Sequence, residues 1–138
     1  MTARFRTPTP NPHELRYLAL GDSYTIGEGV APDGRWPMQL ARALREEGLP
    51  LADPRIIATT GWTTDELSAA IDAAEPLGTF DLVSLLIGVN NQYRGRSVDA
   101  YRDEFDALLA RATGFANGRA DRVLSRRAAS AGQRAAVA

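Results

Sequence analysis

The sequence predicts an α/β protein of three layers, a flavodoxin-like parallel sheet between helices, incomplete at its C-terminal end. Three observations carry that prediction. Short apolar stretches alternate with longer segments of helical periodicity, in the order strand, helix, strand, helix, strand, helix, strand. The most apolar short stretch, "FDLVSLLIG", is nearly continuous rather than alternating, as in a parallel strand covered on both faces. The rhythm then stops: after Leu124, "SRRAASAGQRAAVA" holds no acid, and Val137 is its one apolar residue larger than Ala. A buried strand would continue with several more.

Each element has its own warrant. Residues 1–14 are a Pro-rich lead-in, and residues 15–124 carry the folded pattern. "LRYLAL" (Leu15–Leu20) is short, apolar and bounded by Gly21, which predicts a buried strand. After it the chain breaks into a loop punctuated by Gly27 and Gly29. "WPMQLARALREEG" predicts a helix, with Pro37 in its first turn, Met38, Leu40, Ala41 and Leu44 as its stripe, and Gly48 as its stop. "PRIIATTG" predicts a second strand at Arg55–Ala58. Thr63 and Glu66 form a capping-box pattern ahead of Leu67, Ala70, Ile71 and Ala74, and Pro76 ends that helix. Leu82, Val83, Leu85, Leu86 and Ile87 make the third strand. Ser97 caps a third helix with Val98, Tyr101, Phe105, Leu108 and Leu109 on its inner side. A last strand begins within Asp121–Leu124, and residues 125–138 read as a tail without native structure.

The bulk numbers narrow the function. In 138 residues, 44% are hydrophobic and 24% charged, with a net charge of −1, so nothing points to nucleic acid as a partner. There is no cysteine, hence no disulfide framework and no thiolate metal site. The acids are dispersed along helices beside a single imidazole, which predicts no metal centre. Gly27 and Gly29 are followed by no Gly-Lys-Ser/Thr, so no phosphate loop is expected. "MTARFRTPTPNP" has no run of signal-peptide length and no later stretch is long enough to span a bilayer, from which a cytoplasmic protein is expected. No feature speaks to oligomeric state. All sixteen basic residues are arginine, the mark of a GC-rich gene.

In an open parallel sheet, ligands bind beyond the carboxyl ends of the strands. Gly21-Asp22-Ser23 follows the first strand, Thr60-Gly61-Trp62 the second, and Gly88-Val89-Asn90-Asn91 the third. With strand order 2-1-3-4, Ser23, Gly61 and Asn90 share one edge. Acyl transfer needs a nucleophile and donors aimed at the developing oxyanion. Ser23 offers a hydroxyl; its own N–H, the N–H of Gly61 and the Asn90 carboxamide offer three donors. Tyr24, Trp62, Asn91 and Tyr93, with Trp36, are candidates for a substrate pocket or for ordinary packing. Arg94 and Arg96 either meet an anionic substrate or merely solvate the surface. Asp22 is expected to brace its turn.

"ALGDSYTIGEGV", "TGWTTDEL" and "LLIGVNNQYRGR" resemble the first three blocks of the SGNH, or GDSL-type, hydrolases, especially bacterial esterase and lysophospholipase-like members. The resemblance runs from Tyr17 to Leu124. It implies the SGNH hydrolase fold, a serine ester hydrolase without cofactor, a small-molecule ester as substrate, Ser23 as nucleophile, and Ser23, Gly61 and Asn90 as the oxyanion hole. The family has Asp where Asn91 stands. Its general base comes from a C-terminal DxxH segment, which this sequence lacks. The sole histidine, His13, precedes a strand about 20 Å long, which puts it near the edge opposite Ser23, in a structural or incidental role. A truncated or frameshifted hydrolase is therefore expected, with its fourth-strand region bare or its third strand an uncovered edge. The rival readings are an inactive remnant that holds an acyl or ester ligand and, last, a nucleotide-binding flavodoxin-like module.

Overall fold

The computed structural model describes residues 14–27 and 29–127. The lead-in before Glu14, the expectation for His13 and the tail after Arg127 lie outside them. The chain runs β1 (Tyr17–Gly21), α1 (Ser23–Ile26), α2 (Trp36–Glu46), β2 (Arg55–Ala58), α3 (Thr64–Ala74), β3 (Leu82–Ile87), α4 (Val89–Tyr93), α5 (Val98–Phe115) and β4 (Val123–Arg127). Short 3-10 turns at Pro32–Gly34 and Ala120–Arg122 lead into α2 and β4.

The four strands form one parallel sheet in the order β2-β1-β3-β4, the order expected. Strand β1 alternates between two cores. Leu18 and Leu20 join Val83, Leu85 and Ile87 of β3 under Leu67 and Ile71 of α3 and Phe105 and Leu108 of α5. Tyr17 and Ala19 face the other way, against Ala41, Leu40 and Leu44 of α2 and Leu51. The sheet is thus the middle of three layers, and every side chain of β1 is buried. Burying one leucine fully is worth about 1.5–3 kcal/mol against leaving it in water, so this strand anchors both cores. A buried polar pair within the sheet is satisfied internally: the Tyr17 and Ser84 hydroxyls lie 2.8 Å apart, and burial pushes the Tyr17 phenol up to about 12.

Several expectations are corrected. Leu15 lies outside β1, in an isolated bridge to Leu51. The loop expected after Gly21 opens instead with a short helix, α1. Asp22 caps α1 by accepting the Tyr24 N–H at 3.0 Å, and Gly27, left-handed at φ 73°, closes it. Val98 is 51% exposed, because the first residue of α5 stands ahead of the turn that meets the sheet. Strand β4 reaches Arg127, three residues past the expected boundary at Leu124. Backbone pairing with β3 needs no apolar side chain, so the exposed Ser125 and Arg126 extend the strand. Strand β3 is therefore paired on both sides. Among the described residues β2 and β4 are the two edge strands, and Leu124 of β4 is 51% exposed.

Two glycines allow the strand ends to pack. A Cβ on Gly21 would stand 2.2 Å from Thr25 Oγ1 and 2.7 Å from the Leu86 carbonyl oxygen. A Cβ on Gly88 would stand 2.5 Å from the Tyr101 ring, whose hydroxyl donates to the Ile87 carbonyl at 3.1 Å. Gly88 also has φ 129°, where an L side chain is strained. Gly88→Ala should cost about 2–3 kcal/mol, read as a lowered urea midpoint with unchanged slope. A loss below about 0.5 kcal/mol would mean Tyr101 moves aside freely.

Candidate active site

Register brings three strand ends to one rim. Gly21 is level with Ala58 of β2 and with Leu86 of β3. Ser23 follows Gly21 at the start of α1, half-buried. Gly61 follows Ala58 in the turn before α3. Asn90 follows Leu86 in the first turn of α4. The three residues expected to share an edge therefore stand beyond the carboxyl ends of three adjacent parallel strands, with β1 in the middle.

Each position has a local cause. Ser23 is presented by the close Gly21–Thr25 approach and the Asp22 cap. Asp22 is 1% exposed and braces the turn through Tyr24 N–H, as expected. Burial raises its carboxyl above the ordinary carboxylate range, and the Tyr24 N–H opposes this only in part. Gly61 is left-handed at φ 85°, and the nearest atom to a Cβ there would be an Arg94 guanidinium nitrogen at 3.9 Å, so its backbone is open to approach. Asn90 donates one Nδ2 hydrogen to the Trp62 carbonyl at 3.0 Å, which fixes the carboxamide and leaves its second N–H.

The other pocket candidates separate. Tyr24 and Tyr93 are 62% and 91% exposed beside the rim. Trp62 packs half-buried against the α3/α5 core. Asn91 is not a lining residue. It is 2% exposed, accepting Thr64 N–H at 3.0 Å and donating to Thr64 Oγ1 at 2.9 Å. Arg94 and Arg96 also depart from both alternatives. Arg94 donates to the Gly61 carbonyl at 2.6 Å and pairs with Glu66 at 3.2 Å. Arg96 pairs with Asp65. Glu66 in turn accepts Thr63 N–H at 3.0 Å, the expected capping contact. The segment from Asn90 to Arg96 thus grips the turn from Gly61 to Glu66 residue by residue. A separate groove of about 380 Å³ between α3 and α5, lined by Thr64, Asp65, Ser68, Asp72 and Glu104 among others, contains none of Ser23, Gly61 and Asn90.

Sequence reasoning missed Thr64, Glu66 as the partner of Arg94, and Glu104. The Thr64 hydroxyl has one proton and donates it to Glu104, so it can only accept from position 91. That is a reason for an amide, not a carboxylate, at Asn91.

The profile of the GDSL-like Lipase/Acylhydrolase family matches residues 19–135, beyond the Leu124 limit of the sequence resemblance. The chain belongs to this family. Among solved structures it is similar to AlinE4, an SGNH-hydrolase family esterase, at 26% identity and TM-score 0.60, over 75% of this chain and 55% of that one. It is also similar in fold to the psychrotrophic esterase EstA from Pseudoalteromonas sp. (17% identity, TM-score 0.64, 83% of this chain, 58% of that one). TesA is a third likeness in fold (21% identity, TM-score 0.65, 73% and 56%). The chain spans little more than half the length of these relatives. No curated protein matches it at significant similarity. Among the described residues, no helix is long and apolar enough to cross a membrane.

Two predictions follow from the geometry. Asn91→Asp should destabilise the fold by about 2–3 kcal/mol, since a buried carboxylate would compete with Glu104 for one proton. Glu104→Gln, by donating to Thr64 Oγ1 and freeing its hydroxyl, should recover part of that loss in the double variant. Additive losses in a double-mutant cycle would contradict the shared proton. Separately, Asp22 holds its proton more tightly folded than unfolded. Its contribution is therefore most favourable below the ordinary carboxylate pKa and declines as pH rises through the raised native value. Asp22→Asn keeps an oxygen for Tyr24 N–H and should flatten the fall in stability above pH about 4. An identical pH slope in parent and variant would refute it.

Proposed function

We propose that this chain is the nucleophile-bearing part of a serine ester hydrolase acting on carboxylic esters. Ser23 Oγ attacks the ester carbonyl carbon and passes its proton to solvent water, the acceptor left where no histidine base stands. The carbonyl oxygen becomes an oxyanion that receives the Ser23 N–H, the Gly61 N–H and the free Asn90 Nδ2–H. Collapse breaks the bond to the leaving alcohol, which takes a proton from solvent; water then adds to the acyl-serine, the carboxylic acid leaves, and Ser23 Oγ regains its proton. No cofactor enters. The observation that carries this reading is the common rim: a hydroxyl, a bare glycine amide and a carboxamide at the ends of three neighbouring strands.

The substrate class is proposed as a lysophospholipid or another ester with a small or single acyl chain, with Tyr24, Trp62 and Tyr93 as apolar surface beside the reacting carbon. The proton is the weak point of the mechanism. The sequence holds no DxxH, and loss of the triad histidine can lower turnover on the order of a millionfold. We therefore propose that this chain by itself turns over esters slowly. The missing base also favours a second reading, a remnant that holds an acyl or ester group without turning it over.

Hydrolysis of p-nitrophenyl acetate separates the two. The parent chain should exceed Ser23→Ala, and Asn90→Ala should lose about 100-fold or more of the Ser23-dependent rate, the typical cost of one oxyanion donor. Equal rates in the parent and Ser23→Ala would support the remnant.

A further inference from the structure

We propose that Arg94 is a positioning residue for the Gly61 amide, acting through the peptide bond that follows it; this rests on the reading of Gly61 as an oxyanion donor. The Gly61–Trp62 peptide is held from both sides. Its carbonyl oxygen accepts from Arg94 Nη2 at 2.6 Å, and its N–H, that of Trp62, donates to the Thr59 carbonyl at 3.3 Å. A glycine at φ 85° has no side chain to restrict it, so its backbone orientation depends on what pins the neighbouring peptide. Arg94 is itself pinned, because Nη1 pairs with Glu66 at 3.2 Å and Glu66 is anchored to Thr63 N–H. One guanidinium thus ties the glycine turn to the first turn of α3. The fork geometry matters: two nitrogens reach two acceptors at once, which an ammonium cannot reproduce with the same rigidity.

This arrangement separates positioning from two other roles. A substrate-binding arginine would direct its guanidinium at the crevice, whereas each terminal nitrogen of Arg94 already holds an acceptor within the protein, the Gly61 carbonyl and Glu66. A purely structural arginine would tie together elements away from the site. Arg94 instead bonds directly to the residue whose N–H faces the oxyanion. Its neighbour Asn90 holds the next carbonyl, that of Trp62. Helix α4 therefore supplies one donor through Asn90, and the residue that caps its C-terminal end, Arg94, orients another.

The test compares the parent with Arg94→Met and Arg94→Lys by amide exchange, ¹⁵N relaxation and p-nitrophenyl acetate kinetics. In Arg94→Met, Trp62 N–H should exchange about tenfold faster and the Gly61 order parameter should fall, while Thr64 N–H, held by Asn91, changes less than about twofold. Ser23-dependent kcat should fall about tenfold with KM within about twofold. Arg94→Lys should restore part of the Trp62 protection and part of kcat. Unchanged exchange at Trp62 and an unchanged Gly61 order parameter in Arg94→Met would overturn the proposal. So would a rise in KM at constant kcat, the mark of a substrate contact. Should the parent show no Ser23-dependent turnover, the esterase reading fails, and the exchange and relaxation data alone decide whether Arg94 positions Gly61. Should Arg94→Met fail to fold, the same comparison is made with Arg94→Lys.

Discussion

The site depends on a buried amide. Asn91 sits beneath the rim, 2% exposed, and ties α4 to the first residue of α3 by two hydrogen bonds to Thr64. A buried polar side chain is costly unless every partner is present. Here both ends of the carboxamide are satisfied, and the Thr64 hydroxyl passes its own proton to Glu104 on α5. Three helices meet in this short chain of donors and acceptors. Around it, Asn90, Arg94 and Arg96 grip the same turn from the solvent side. The exposed ion pairs add little individually. Their value is directional, since each one fixes a backbone group or a cap next to Gly61.

The sheet supplies the other half of the geometry. Strand β1 is central; β2 ends level with Gly21 and β3 one residue beyond it. The absence of a Cβ at Gly21 lets Thr25 fold back onto the strand end, which turns the chain into α1 at Ser23. A parallel sheet in this order needs both faces covered. One face is covered by α3 and α5. The other has α2 over β1, while toward β4 the exposed Leu124 marks where cover thins.

Much of this was legible because local and global preferences agree. The continuous apolar run Leu82–Ile87 is a central strand, and the Thr63/Glu66 pair caps α3 through a contact within four residues. Ser23, Gly61 and Asn90 could be placed on one edge because parallel topology puts strand ends together whatever the loops do. What sequence reasoning missed has a different origin. The proton order Glu104–Thr64–Asn91 joins residues up to 40 positions apart, and no periodicity encodes it. Arg94 looks like any exposed arginine until its partner carbonyl is seen. The last residues of β4 carry no apolar pattern because they are held by backbone pairing at an edge.

The central claim, that the buried Asn91–Thr64 link fixes α4 against the start of α3 as firmly as the sheet itself is held, is tested most directly by native-state hydrogen exchange at Thr64. Its N–H donates to Asn91 Oδ1 in the interior. It should exchange only through global unfolding, with the same opening free energy and denaturant dependence as the β1 amides of Leu18 and Leu20. Exchange of Thr64 at a rate near that of an unprotected loop amide, while β1 stays protected, would contradict the account.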